Sequence, residues 1–226
     1  MNAIRMLAAM LCLMATTQVW AVTYVFTGSA YDTMLNYTSC TTAPSLCANF
    51  PPTARVRLTF STSIPLNPNL AGDDITALVT AYVLTDGVNT YSSTDPDSRV
   101  YVPFSVTTDG NGQVTDIYLV VQRWLTGASP HTAADRFSYV ILIGGTGAAR
   151  NNLGCNTVGI SPSGTPDVCL VTSADSSESR GVFSTPGVWS MVSASIPTLS
   201  PIALLLLASG IVASAWTGVA RKPKTR

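Results

Sequence analysis

Charged residues are scarce in this chain of 226 residues, and lysine is almost absent. Asp, Glu, Lys and Arg together make up 11% of the sequence, and both lysines, Lys222 and Lys224, lie within the last five residues. Between positions 22 and 195 the seven basic residues are all arginines, against twelve acidic residues, which gives a formal charge of −5. Nucleic-acid binding requires basic residues clustered along a groove or face. We therefore expect no nucleic acid among the partners.

Histidine is nearly absent as well, which limits the catalytic chemistry that the sequence predicts. The single histidine, His131, lies in the turn-like stretch 129–132, and we interpret it as an exposed loop residue. No Gly-x-Ser-x-Gly sequence marks a nucleophilic serine for a Ser–His–Asp hydrolase. Neighbouring carboxylates at 73–74 and 95–97 are more typical of turns and caps than of a glycosidase pair. The sequence therefore predicts no catalytic residues and a non-enzymatic protein.

Metal-binding patterns are also missing. No Cys-x-x-Cys spacing occurs, which argues against a structural zinc site. The turn Asp109-Gly110-Asn111-Gly112, with Asp116 nearby, offers oxygen ligands of the kind that Ca²⁺ prefers. The same turn is a strong hairpin signal, and it lacks the closing Glu of a calcium-binding hand. We predict no bound cofactor and no metal, with Asp109, Asn111 and Asp116 as the candidates for calcium.

The sequence has five cysteines, of which Cys12 belongs to an N-terminal targeting segment. The other four are Cys40, Cys47, Cys155 and Cys169. An even number of cysteines in an exported chain is typical of disulfide bonding. Four cysteines allow three pairings, and we favour Cys40–Cys47 and Cys155–Cys169, because each closes a short loop rich in turn-forming residues.

The two ends of the chain look like targeting segments. In residues 1–21, Arg5 precedes the apolar stretch Met6–Ala15, and Val19-Trp20-Ala21 offers a cleavage site, as in a secretory signal peptide. Near the C-terminus, the uncharged run Ile202 to Ala220 is long enough to cross a bilayer as a helix. A buried terminal helix of a globular domain is the alternative, but it rarely combines such apolarity with a basic end. The basic stop consists of Arg221, Lys222, Lys224 and Arg226.

The basic stop also indicates the orientation of the chain in the membrane. By the positive-inside rule, these residues stay in the cytoplasm and the preceding domain lies in the periplasm. The sequence therefore predicts a single-pass protein of the cytoplasmic membrane, with residues 22–195 exported.

Between the two ends, short β segments alternate with turn signals. Ala54–Thr62 alternates apolar and polar residues, and Asp86-Gly87 is a hairpin signal like the one at Asp109. The serine-rich stretch 173–187 is interpreted as a long loop. The predicted strands are Val22–Gly28, Ala54–Thr62, Thr76–Thr85, Val88–Ser92, Val100–Thr108, Val114–Arg123, Phe137–Ile143, Val168–Thr172 and Val188–Ser193. We predict one all-β domain, an antiparallel β-sandwich of the jelly-roll or immunoglobulin-like type.

Aromatic residues recur through the predicted domain and leave two interpretations open. These aromatic residues include Tyr31, Tyr37, Tyr91, Tyr101 and Trp124. Their spread through strands is more typical of core and cross-strand packing. An aromatic surface that stacks on sugars is the alternative, and a carbohydrate-binding surface module, assisted by calcium, is accordingly the alternative function.

The residues before the apolar run carry a recognisable motif, Ile196, Pro197, Thr198, Leu199 and Ser200. Together with the span and the basic stop, this motif resembles the IPTL-CTERM sorting signal of Gram-negative bacteria, a relative of the PEP-CTERM signal. The family typically continues with Glu-Trp-Gly, whereas this chain has Pro201-Ile202-Ala203. The resemblance covers residues 196–226.

The resemblance implies recognition by an exosortase, a membrane-embedded enzyme similar to cysteine transpeptidases. Such an enzyme would cut near the motif, remove the span and pass the protein to the cell surface or the extracellular matrix. Substrates of this kind are often associated with exopolysaccharide, which is therefore an expected partner. We expect a signal peptide at 1–21, an exported domain at 22–195 and a sorting signal at 196–226.

Overall fold

The computed structural model describes residues 21–37, 49–174 and 176–193. Within them lie thirteen β-strands and one short 3-10 helix, Thr76–Leu78. The strands are β1 (Val22–Ala30), β2 (Thr33–Leu35), β3 (Arg55–Thr62), β4 (Ala71–Asp74), β5 (Val79–Thr85), β6 (Thr90–Ser92), β7 (Ser98–Thr108), β8 (Val114–Trp124), β9 (Arg136–Ile143), β10 (Thr146–Gly159), β11 (Val168–Ser173), β12 (Ser179–Phe183) and β13 (Val188–Ser193).

These strands form two antiparallel sheets. Sheet A has the order β13-β1-β3-β5-β6, and sheet B has the order β2-β12-β10-β9-β8-β7-β4, with β11 paired to β10. The prediction of an all-β antiparallel fold is confirmed, and the arrangement is consistent with a β-sandwich. In the described part of the chain, no helix is long and apolar enough to span a bilayer. The apolar run Ile202 to Ala220 lies outside that part.

The alternation of apolar and polar residues along the strands explains why each sheet buries one face. In β3, Val56, Leu58 and Phe60 are buried, whereas the residues between them are partly or fully exposed. Both sheets contribute to one hydrophobic core. The ring of Phe60 lies 5.5 Å from that of Phe104 in β7, so aromatic contacts join sheet A to sheet B.

Both predicted hairpin turns are confirmed. The β5–β6 turn closes where the backbone N–H of Asp86 donates to the carbonyl of Asn89, at 3.2 Å. The β7–β8 turn closes where the N–H of Asp109 donates to the carbonyl of Gln113, at 2.9 Å. Gly87 and Gly112 both adopt positive φ, which is the conformation for which glycine suits such turns.

The interpretation of residues 173–187 as a long loop is wrong, because they contain β12, which pairs with both β2 and β10. Its buried positions are Ser179, Gly181 and Phe183, so only one of three inward residues is apolar. Gly181 is buried against the Tyr31 ring, where an added Cβ would lie 2.7 Å from ring atoms. Small inward residues therefore hid the alternation that marks a strand.

A second, smaller core lies on the outer face of sheet B. It comprises Trp124, Phe137, Leu153, Cys155 and Cys169. We call residues 157–169, which connect β10 to β11 and include parts of both strands, the flap. In β8, Val121 packs in the main core, whereas the next residue, Gln122, exchanges two hydrogen bonds of 2.9 Å with the backbone of Cys169. Since neighbouring side chains in a strand point to opposite faces, the end of the flap covers the outer face of the sheet.

Candidate functional site

A groove of about 600 Å³ lies at the margin of the flap. Its walls include Ile160 from the flap, Pro130 and His131 from the loop after β8, Arg99 from β7, and Asp167. Ligand sites in proteins usually have volumes of about 300–1,000 Å³ and combine apolar walls with a few polar groups. The groove has this composition and is the candidate functional site.

Asp167 connects the segments that form the groove. Its Oδ1 accepts a hydrogen bond of 2.7 Å from the backbone N–H of His131, and its Oδ2 lies 2.8 Å from the His131 Nδ1. Oδ2 also accepts a hydrogen bond of 2.9 Å from Arg99, and the Asp167 carbonyl accepts one of 2.8 Å from the Trp124 indole. One residue of the flap thus holds the loop, β7 and β8 together.

The electrostatics of Asp167 follow from these contacts. Burial alone would raise the pKa of its carboxyl group, but hydrogen bonds from His131, Ser129 and Arg99 lower this pKa to about 2. The carboxylate is therefore ionised throughout the physiological range. Asp167 also has a φ of 60°, a left-handed conformation that Asp and Asn tolerate better than most residues.

The interpretation of His131 as an exposed loop residue is wrong. The residue is only 5% exposed, and its ring stacks on Trp124 with the two ring planes 6° apart and their centroids 4.5 Å apart. Because the Asp167 carboxylate can only accept hydrogen bonds, this contact places a proton on Nδ1. In the described residues, Nε2 has no hydrogen-bond partner. The pair thus resembles two members of a hydrolase triad, and here it positions the loop after β8.

A buried polar network joins the two sheets away from the groove. The Asp86 carboxylate accepts hydrogen bonds from the backbone of Val88 and from the Tyr91 hydroxyl, the latter at 2.9 Å. Asn89 donates to Asn151 of β10 at 2.9 Å and so connects sheet A to sheet B. Burial raises the pKa of Asp86, and the hydrogen bonds oppose this rise. Because its members are paired with one another and connect the two sheets, we interpret this network as structural.

Of the calcium candidates, Asp109 and Asn111 lie in the β7–β8 turn and Asp116 lies in β8. Backbone hydrogen bonds from Gln113 and Asn111 lower the pKa of Asp109, whose Oδ1 accepts both. Asp116 accepts from Ile117 and from Gly145 in the β9–β10 turn, at 2.7 and 3.1 Å. Within the described residues, no group of three or more His, Cys, Asp or Glu side chains could hold a metal ion. Calcium binding at Asp109, Asn111 and Asp116 stays a prediction.

The cysteine prediction is confirmed for one pair. Cys155 and Cys169 form a disulfide with a Cα–Cα distance of 5.7 Å, which closes the hairpin that carries the flap. Cys40 and Cys47 lie outside the described residues, as do the sorting motif, the apolar run and the basic stop. Of the aromatic candidates, Tyr31, Tyr91 and Trp124 are buried in the two cores, which confirms the packing interpretation for these three.

The fold and the groove together define an all-β protein with two antiparallel sheets and a disulfide-closed flap. In comparisons with protein families, curated proteins and solved structures, no match to this chain was found.

Proposed function

We propose that this chain is a non-enzymatic exported protein of the cell surface or extracellular matrix, sorted by an exosortase through residues 196–226. The observation that carries the proposal is the order of segments: signal peptide, β domain, Ile196–Ser200 motif, apolar span and basic stop. The Cys155–Cys169 disulfide supports it, since disulfides persist in oxidising compartments such as the periplasm. The jelly-roll or immunoglobulin-like description of the fold belongs to the same proposal.

In this proposal the apolar span is a temporary anchor. It holds the β domain on the periplasmic side of the cytoplasmic membrane until the exosortase cuts near Ile196–Ser200. A non-enzymatic role is supported at His131, because within the described residues no group forms a hydrogen bond with Nε2, where a hydrolase triad places its nucleophile. The protein then remains at the cell surface or in the matrix, where exopolysaccharide is its expected partner.

We expect the protein recovered from the cell surface to lack Ile202 to Arg226. Intact-mass measurement of surface-extracted protein tests this directly. Replacing Pro197 by Ala inside the motif should leave the tail attached, and the same replacement at Pro201, just outside it, serves as the matched control. Wild-type surface protein that retains the complete tail would contradict processing and leave a permanently anchored protein.

A second candidate function is carbohydrate binding, and the groove at Arg99 favours it. This groove combines apolar walls with charged side chains, as ligand sites do. The calcium-assisted form of this function would depend on Asp109, Asn111 and Asp116. Glycan-binding measurements with and without a chelator separate the two forms, because loss of binding in chelator requires a metal ion.

A further inference from the structure

We infer that the groove beside Arg99 binds the carboxylate of a uronic acid residue within an extended acidic polysaccharide. The inference rests on the carbohydrate-binding function named above, and it specifies the site and the chemical class of the ligand. It does not depend on calcium or on the fate of the C-terminal tail.

Arg99 has hydrogen-bonding capacity that its protein contacts do not use. A guanidinium group carries five N–H donors. Nη1 donates to the carbonyls of Pro96 and Ser98, and Nη2 donates to Asp167. These three bonds leave the Nε–H and one Nη2–H without a partner in the described part of the chain. The Arg99 side chain is 16% exposed and lines the groove, so a ligand can reach it.

The Asp167 carboxylate, in contrast to Arg99, has most of its hydrogen-bonding capacity in use. Both oxygens of Asp167 are already engaged, Oδ1 by the backbone of His131 and Oδ2 by the His131 ring and Arg99. The carboxylate therefore has little capacity left for the hydroxyl groups of a neutral sugar, whereas the guanidinium still offers donors. A ligand that supplies acceptors fits this groove best, and a carboxylate is the acceptor that matches the planar donor geometry of a guanidinium.

The walls of the groove also present apolar surface. Pro130, Pro166 and Ile160 are exposed, with Ile160 66% exposed on the flap. Their carbon surfaces suit the C–H faces of a pyranose ring, which flank the carboxylate in a uronic acid. The groove is open to solvent at its surface, so a polymer can cross it without a free end having to enter.

Titration calorimetry on the full-length chain in mild detergent tests the inference. The probes are a hexamer of galacturonic acid, its methyl ester, the matching galactose hexamer, and sodium acetate at equal carboxylate concentration. We expect the acid hexamer to bind at least about tenfold more tightly than the ester or the neutral hexamer, because only the acid offers a charged acceptor to Arg99. Acetate should bind far more weakly because it lacks the ring.

Two variants locate the site. Ile160→Asp places a negative charge on the groove wall and should weaken binding of the acid hexamer about tenfold or more, whereas Ile160→Asn should have a smaller effect. Val188→Asp is the matched control, because Val188 is 68% exposed and lies on the edge strand of sheet A. Circular dichroism verifies that each variant is folded.

The possible outcomes distinguish the uronate inference from the carbohydrate-binding function on which it rests. Equal binding of the acid and neutral hexamers would overturn the uronate inference and leave carbohydrate binding intact. Equal weakening by Ile160→Asp and Val188→Asp would overturn the groove as the site. If acetate competed as effectively as the hexamer, the site would recognise small carboxylates, and the polysaccharide assignment would be wrong. No binding of any sugar would overturn both the inference and the carbohydrate-binding function.

Discussion

Replacing Asp167 by Asn is expected to lower the free energy of unfolding by about 3 kcal/mol, because a charged acceptor for two segments is lost. The wild-type carboxylate accepts from the His131 backbone and ring and from Arg99. An amide in its place keeps one oxygen and turns an NH₂ group toward these donors. Asn tolerates the left-handed backbone at this position, so the substitution isolates the side-chain contacts. Equilibrium denaturation in urea measures the change.

The matched control is Asp109→Asn, the same chemical change in a turn where the donors are backbone amides of Asn111 and Gln113. An amide oxygen can accept both of these bonds, so we expect the unfolding midpoint to stay within error of the wild type. The structural account of the groove would be wrong if the two substitutions shifted the midpoint by the same amount.

Removing the Cys155–Cys169 disulfide is expected to cost about 3 kcal/mol of stability. The bond joins residues 14 positions apart, and in the chain-entropy model a closed loop of about this length contributes roughly 3 kcal/mol. Both sulfur atoms lie in the second core, so alanine is the appropriate replacement, since it adds no polar group to an apolar cluster. Denaturation of the Cys155→Ala/Cys169→Ala double variant measures the effect.

The single variants supply the control for this prediction. If the bond exists, either single replacement already breaks it, so the double variant should be only slightly less stable than either single one. If the stability losses of the two single variants were small and summed to that of the double variant, the two cysteines would be independent thiols. The flap should open more readily without the bond. Amide hydrogen exchange in the double variant should therefore increase over the wild type more at 157–169 than in β3.

The sequence predicted the fold best where inward residues are apolar. Each of the nine predicted strands overlaps an observed strand, and β3 differs by one residue at its start. Strand β10 was missed because its inward positions include Gly147, Ala149 and Asn151, which do not mark a buried face. Strand β12 was missed for the same reason. Periodicity reports burial only when the buried side chains are hydrophobic.

The candidate site was much harder to predict than the fold. His131 and Asp167 are 36 residues apart, and nothing in their local sequence indicates that they meet. Their contact depends on the flap turning back over sheet B, which Gln122 and the disulfide hold in place. Arg99 donates to the same Asp167 carboxylate from a third segment, β7. The predicted disulfide was the one sequence signal that pointed to this region, because it marked 155–169 as a closed loop.

The most direct test of the groove is a nitrogen-15 NMR measurement on imidazole-labelled full-length protein, because the chain contains a single histidine. We predict a proton on Nδ1 that exchanges slowly with water, since the ring is buried between Asp167 and Trp124. A proton on Nε2 that exchanges as fast as in a short peptide would contradict the account, because it would place His131 in solvent and leave the groove without the loop that forms its wall.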